Sequence, residues 1–262
     1  MRVGIRSVFS AGNICIALLL GVMPVATVTS NDEVALGQYG AEAETQAPTF
    51  TAIDLHPTGW AYSYATGISG DEQAGDVWVP YFQTGTVHAA LWRGNAASMV
   101  KLHPNGFEQS RAWATSGAQQ VGYGWTTSGN KHALLWRGSA ASVVDLHPRG
   151  FTGSEADGTS GEEQVGFGAP QGSHPIDRSD GGSLATHALL WRGSAASVVD
   201  LHPRGFISSK ALATSGGEQA GSGLPQGAPL VGSRQIPASH ALLWRGSATA
   251  WWTCMHFFLQ VL

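Results

Sequence analysis

One stretch of twenty residues, HALLWRGSAASVVDLHPRGF, occurs twice without a change, at 132–151 and at 187–206. A third copy, HAALWRGNAASMVKLHPNGF at 88–107, differs at five positions. A fourth, HALLWRGSA at 240–248, follows the pattern and then stops. Successive His-Ala blocks lie 44, 55 and 53 residues apart. Periods of this kind belong to solenoids, propellers and arrays, whose units bury their faces only against neighbours. Two further blocks keep the same order. Ser-Gly-x-x-Gln stands at 69–73, 116–120, 160–164 and 215–219, and Leu-His-Pro at 55–57, 102–104, 146–148 and 201–203.

The second unit reads as four short strands: Ser110–Thr115, Gln119–Trp125, His132–Arg137 and Ser142–Leu146. In the first, Arg111, Trp113 and Thr115 fall on one face by alternation. In the third, His132, Leu134 and Trp136 point one way and Ala133 and Leu135 the other, so both faces are apolar and both are expected to be buried. Gly138 and the Ser-Gly and His-Pro-Arg-Gly stretches punctuate the strands. Composition agrees: 35 glycines, 10 tryptophans and only 12% charged residues suit short strands and turns rather than helices. The expected fold is all-β, a β-propeller-like array of about four repeated four-stranded blades, complete or incomplete. The units are placed near 51–97, 98–141, 142–196 and 197–250, within a repeat domain at 51–250.

The ends read differently. Arg2 and Arg6 precede an apolar run from Ile14 to Val22, with Pro24 and small residues following to Ser30. This is the layout of a secretory signal peptide at 1–30, and the run is too short to span a bilayer. Residues 31–50 form a linker. The expected location is secreted or extracellular, with the periplasm as the alternative, and no membrane span in the mature chain. Cys15 lies in the signal and Cys254 is then left alone, so the core must hold the fold without an internal disulfide. Residues 251–262 form an aberrant apolar tail where Val-Val-Asp-Leu-His-Pro would be due. Either its first residues act as the outer strand of the fourth blade, or Thr51–Leu55 pairs with that blade and closes a ring. A net charge of −4 argues against nucleic acid as a partner.

Chemistry-bearing residues recur with the repeat. Eight histidines hold fixed positions: His56, His103, His147 and His202 in Leu-His-Pro, and His88, His132, His187 and His240 in His-Ala. A catalytic base is needed once, whereas a scaffold contact is needed in every unit. The Leu-His-Pro histidines are therefore read as turn caps, and the others as contacts to backbone or to a neighbouring blade. Trp92, Trp136, Trp191 and Trp244 are read as inter-blade core, with a sugar-stacking platform as the alternative. Asp145 and Asp200 are replaced by Lys101 in the first copy, which speaks against a shared metal role. No catalytic residue, metal ligand or cofactor site is assigned. The third and fourth units carry insertions rich in Pro and Gly, 169–186 and 224–239, both with Pro-Gln-Gly near the start. They fall at one place in the unit and so share a rim, where an unknown protein or glycan ligand is expected to bind.

The His-Ala-x-Leu-Trp block, the Gln-Val-Gly block and the Asp-Leu end of the fourth strand resemble the HAF-type repeats of exported bacterial proteins. The resemblance covers about 52–248 and marks a divergent subtype, with Leu-Leu-Trp-Arg in place of the motif that names the family. It implies a propeller-like array and no catalytic residue. The function expected is an exported, non-enzymatic binding or surface scaffold. The alternatives are a lectin-like propeller or, more remotely, a propeller-type glycan hydrolase or lyase.

Overall fold

The computed structural model describes residues 50–80, 86–173, 185–228, 230–231, 236–245 and 251–253. All but Phe50 belong to one compact unit, Thr51–Leu262. The expected signal peptide at 1–30, the expected linker up to residue 49, the middle of both insertions and the tail from Cys254 onward lie outside the described residues.

Among the described residues the chain is all-β. Sheet 1 contains β1 (Tyr62–Ser69), β2 (Glu72–Trp78), β3 (Val87–Arg93) and β4 (Val100–Lys101). Sheet 2 contains β5 (Phe107–Thr115), β6 (Gln120–Thr126), β7 (Lys131–Trp136) and β8 (Val144–Asp145). Sheet 3 contains β9 (Phe151–Thr159), β10 (Gln164–Pro170), β11 (His187–Trp191) and β12 (Val199–Asp200). Sheet 4 contains β13 (Phe206–Ser215), β14 (Glu218–Pro225), β17 (His240–Arg245) and β18 (Trp251–Thr253), and β15 (Leu230–Val231) and β16 (Ile236–Pro237) form a small ribbon in its insertion. Every pairing is antiparallel and every sheet is a meander in chain order. The sheets begin and end later in the repeat than the units placed at 51–97, 98–141, 142–196 and 197–250. Sheets 2 to 4 open on the Phe after Leu-His-Pro, and sheets 2 and 3 close on Val-Asp.

Two local readings need correction. The fourth strand is only Val144–Asp145, because Ala140–Ser142 forms a 3-10 turn before it. The Ser142 hydroxyl donates to the Ser139 carbonyl at 2.6 Å and accepts the Arg137 N–H at 2.8 Å, which holds the chain curled where a strand was expected. In β5 the register slips between Ala112 and Ala114. This bulge breaks the common face of Arg111, Trp113 and Thr115. Arg111 and Thr115 reach back to sheet 1, whereas the Trp113 indole reaches forward to sheet 3.

The third strand of each sheet is the core element. Leu134 and Trp136 pack towards sheet 1 with Leu91, Leu102 and Ala112. Ala133 and Leu135 pack towards sheet 3 with Ala156, Leu189 and Trp191. The next step repeats this with Ala188, Leu190, Leu201, Ala211, Leu242 and Trp244. Trp136 and Trp191 are fully buried and Trp92 is 1% exposed. The glycine of the Gln-x-Gly block has a steric cause, since a Cβ at Gly122 would lie 1.9 Å from the Arg111 carbonyl oxygen. Each sheet thus packs on the one before it. Thr51–Leu55 forms no strand; β18 takes the fourth place in sheet 4, pairing Leu242 with Thr253 and Trp244 with Trp251.

Candidate functional site: an aromatic and ionic belt at one rim

Repeated residues build the frame. The Leu-His-Pro histidine bridges consecutive sheets through a serine on the next first strand. In sheets 3 and 4 the Ala188 N–H donates to Ser209 Oγ at 2.9 Å, and Ser209 Oγ meets His202 Nδ1 at 2.8 Å. His202 Nε2 sits 3.2 Å from the Phe206 carbonyl, which only accepts, so the proton is on Nε2 and the serine hydroxyl donates to Nδ1. His103 with Ser110 and His147 with Ser154 repeat the contact at 2.8 and 2.9 Å, and His56 with Ser63 at 3.0 Å. The His-Ala histidines stack on them: His88 on His103, His132 on His147 and His187 on His202, each with centroids 4.0 Å apart. His132 and His187 each place Nδ1 2.7 Å from a carboxylate, of Asp145 and Asp200. His240 lies edge-on to Phe206.

Charge follows from this packing. Burial, and then the stacked partner, depress His147 and His202 below the usual histidine range. Burial raises Asp145 and Asp200, but hydrogen bonds from the paired histidine and from a backbone N–H outweigh it and leave both carboxyls low. The first copy departs. With Lys101 in the aspartate position, His88 Nδ1 is buried with no hydrogen-bond partner. Burial, His103 and Lys101 together push His88 down to about 4.

The residues that differ between units gather elsewhere. Tyr64, Arg111, Glu155 and Lys210 occupy one position of the aligned units, and Asp76, Tyr123, Phe167 and Ser222 another. Trp78 and Trp125 share a third, which is alanine in sheet 3 and leucine in sheet 4. Arg111 and Lys210 at the first position reach back to the second on the preceding sheet. Arg111 lies 3.7 Å from Asp76 and covers the Trp78 ring, 5.2 Å from its centroid. Lys210 covers the Phe167 ring at 4.1 Å. Between sheets 2 and 3, Lys131 Nζ is 3.2 Å from Glu155 and 4.2 Å from the Tyr123 centroid. Each belt carboxylate also receives an indole N–H, Asp76 from Trp78 at 2.8 Å and Glu155 from Trp113 at 2.7 Å. Burial holds Asp76 above the usual carboxylate range despite Arg111 and Trp78.

Trp78, Trp113 and Trp125 are half-buried, and Tyr62, edge-on to Trp78, is 51% exposed. Tyr62 opens β1, Trp78 closes β2, and Trp125 and Lys131 flank the turn between β6 and β7. The insertions 169–186 and 224–239 join the equivalent strands of sheets 3 and 4, so they share this rim. Of the belt, the sequence reading had singled out only Arg111 and Trp113, and as strand residues. It missed Asp76, Trp78, Tyr123, Trp125, Lys131 and Glu155 because it followed what repeats. The signal was the converse, the positions at which near-identical units disagree. The repeated tryptophans, Trp92, Trp136, Trp191 and Trp244, are at most 1% exposed and offer no stacking platform. Among the described residues no group of three or more His, Cys, Asp or Glu is placed to hold a metal ion, and no helix is long and apolar enough to cross a membrane. No family model, curated protein or solved structure matches this chain.

Proposed function

We propose that this chain is an exported, non-enzymatic binding scaffold whose four sheets act as blades of a propeller-like array of the HAF-repeat type. Its ligand site is the belt at the insertion-bearing rim. The observation that carries the reading is the contrast between the two residue sets. Repeated histidines, serines and tryptophans are spent on joining sheets, while the belt concentrates Trp, Tyr and Arg, the residues that dominate binding hot spots. Trp78 and Trp113 have their N–H groups held by buried carboxylates, so the rings are fixed before a ligand arrives, and less ordering is lost on binding.

A glycan is the ligand class favoured by the fixed, half-exposed rings, which present apolar faces beside polar partners. Catalysis is disfavoured by the same geometry. Asp76 is 1% exposed and Glu155 fully buried, and each is already engaged by a cation and an indole, which leaves no carboxylate of the belt open to a substrate. The test is a glycan array probed with the exported chain, alongside a screen for release of reducing ends from polysaccharides. Array binding without turnover is expected. Turnover would move the protein to the enzyme reading, and a blank array together with capture of a defined protein would leave a scaffold with a protein ligand.

A further inference from the structure

The two ends of the array are the two halves of its own internal interface. At each internal junction an alanine on the first strand of the following sheet is buried against the preceding sheet. Ala112, Ala156 and Ala211 are all 0% exposed. The equivalent Ala65 on β1 has no preceding sheet among the described residues and is exposed. Its neighbours Tyr64 and Ile68 are exposed too, at 54% and 73%. The far end mirrors this. Ala74, Val121 and Val165 on the second strands, and Ala89, Ala133 and Ala188 on the third, are fully buried. Their equivalents in sheet 4, Ala220 and Ala241, are exposed, and Leu212 is 48% exposed.

The polar half of the interface is also present and unfilled. At internal junctions a glutamine amide crosses to an acidic or amide side chain of the preceding sheet. Gln120 donates to Glu72 at 2.6 Å, Gln164 to Gln119 at 2.9 Å and Gln219 to Glu163 at 3.0 Å. These glutamines are 1%, 0% and 2% exposed. Gln73 is the equivalent on sheet 1. Its Oε1 accepts the Gly94 N–H at 2.9 Å, the same contact that holds Gln120 and Gln164, while its Nε2 turns to the local Asp71 carbonyl. Glu218 is the equivalent acceptor on sheet 4. Among the described residues its carboxylate pairs with Arg245 of its own sheet, and its side chain is 46% exposed. Among the described residues sheets 1 and 4 share no packed interface.

We infer that the sheet 4 face of one copy docks on the sheet 1 face of a second copy, head to tail, with Gln73 donating to Glu218 across the junction and Ala65 and Ile68 packing over Ala220 and Leu212. Such a heterologous contact adds copies in one direction until a ring closes or a filament grows. It recreates a junction the chain already makes three times within itself, so its chemistry is that of the fold rather than of a new surface.

The experiment is sedimentation velocity on the full chain and on two variants, Ala65→Glu and Ala220→Glu. Both positions are exposed, so neither substitution disturbs the folded unit. The wild-type chain should give species larger than a monomer whose share rises with concentration. Each variant alone should lose them, since one of its two faces is blocked. An equimolar mixture should give a dimer and nothing larger, because only one matching pair of faces remains. A wild-type chain that stays monomeric, variants that associate as the wild type does, or a mixture that stays monomeric would each overturn the inference. None of these outcomes depends on a ligand of the rim.

Discussion

Lys101 is a single departure from the repeat, and it isolates what one aspartate does. In the second and third copies Asp145 and Asp200 accept from His132 and His187. In the first, His88 keeps its stack on His103 but has lost the acceptor and gained a nearby positive charge. Lys101→Asp should therefore restore the pair. The pair is partly exposed, so the gain is modest, about 0.5–1 kcal/mol, or about 2 °C in melting midpoint. Titration of His88 followed by NMR should show its pKa rise from about 4. An unchanged His88 pKa in the variant would mean that Asp at this position does not reach the ring. Core tryptophans obey a different rule. Trp136 is fully buried, and Trp136→Ala should cost about 3–5 kcal/mol, read by denaturant unfolding.

At the scale of elements, one carboxylate gathers several side-chain hydrogen bonds at the junction between sheets 3 and 4. Glu163 accepts from Thr214 at 3.1 Å, Gln219 at 3.0 Å and Arg192 at 2.6 Å. Glu163→Ala strands two neutral donors at a covered junction and should cost about 2 kcal/mol. Glu163→Gln should cost much less, because Gln119 does the same task between sheets 2 and 3. Hydrogen exchange should show amides of β13 and β14 opening earlier in Glu163→Ala while β5 and β6 keep their protection. Uniform loss across all sheets would show that the junctions do not open separately. The repeated elements were legible in the sequence because alternation fixed which residues of His132–Arg137 face each neighbour. The 3-10 turn at Ala140–Ser142 was not, since its cause is a serine hydroxyl closing on its own backbone. Nor was the bulge at Ala112–Ala114, which turns the Trp113 indole towards sheet 3 without any change in composition.

Across the whole molecule, the histidine stacks make the fold acid-sensitive, while Asp76, held high in the folded state, acts in the opposite sense. His88, His147 and His202 have pKa values below the ordinary 6.5, so in the window beneath that value the unfolded chain binds protons that the folded chain refuses. Stability is then complete above about pH 6.5 and falls as pH drops towards the depressed values. Asp145 and Asp200, also low in the folded state, act in the same direction at lower pH: their contribution holds above the ordinary carboxylate range and is lost as pH falls through the folded values. Melting midpoints should fall steadily from pH 7 to pH 4, and His147→Gln combined with His202→Gln should flatten the slope. A flat profile in the unaltered chain would show that the stacks carry no differential protonation.

The frame was open to sequence reading because it repeats, whereas the belt was not, because its ion pairs, Arg111 with Asp76 and Lys131 with Glu155, join residues of different units that meet only across sheet junctions. The account rests on that division: repeated residues hold the sheets, differing ones bind. Trp125→Ala tests it most directly. Trp125 is half-buried at the rim and its ring lies 5.2 Å from Lys131 Nζ, so its loss should cost the fold about 2 kcal/mol, less than the loss of the core Trp136. The measurement is the glycan-array signal of the variant beside its melting midpoint. The account predicts a midpoint lowered by only a few degrees, well short of the Trp136→Ala shift, and loss of the signal that the wild-type chain gives. A variant that binds as well as the wild type while melting much earlier would contradict it, placing Trp125 in the frame and the ligand site elsewhere.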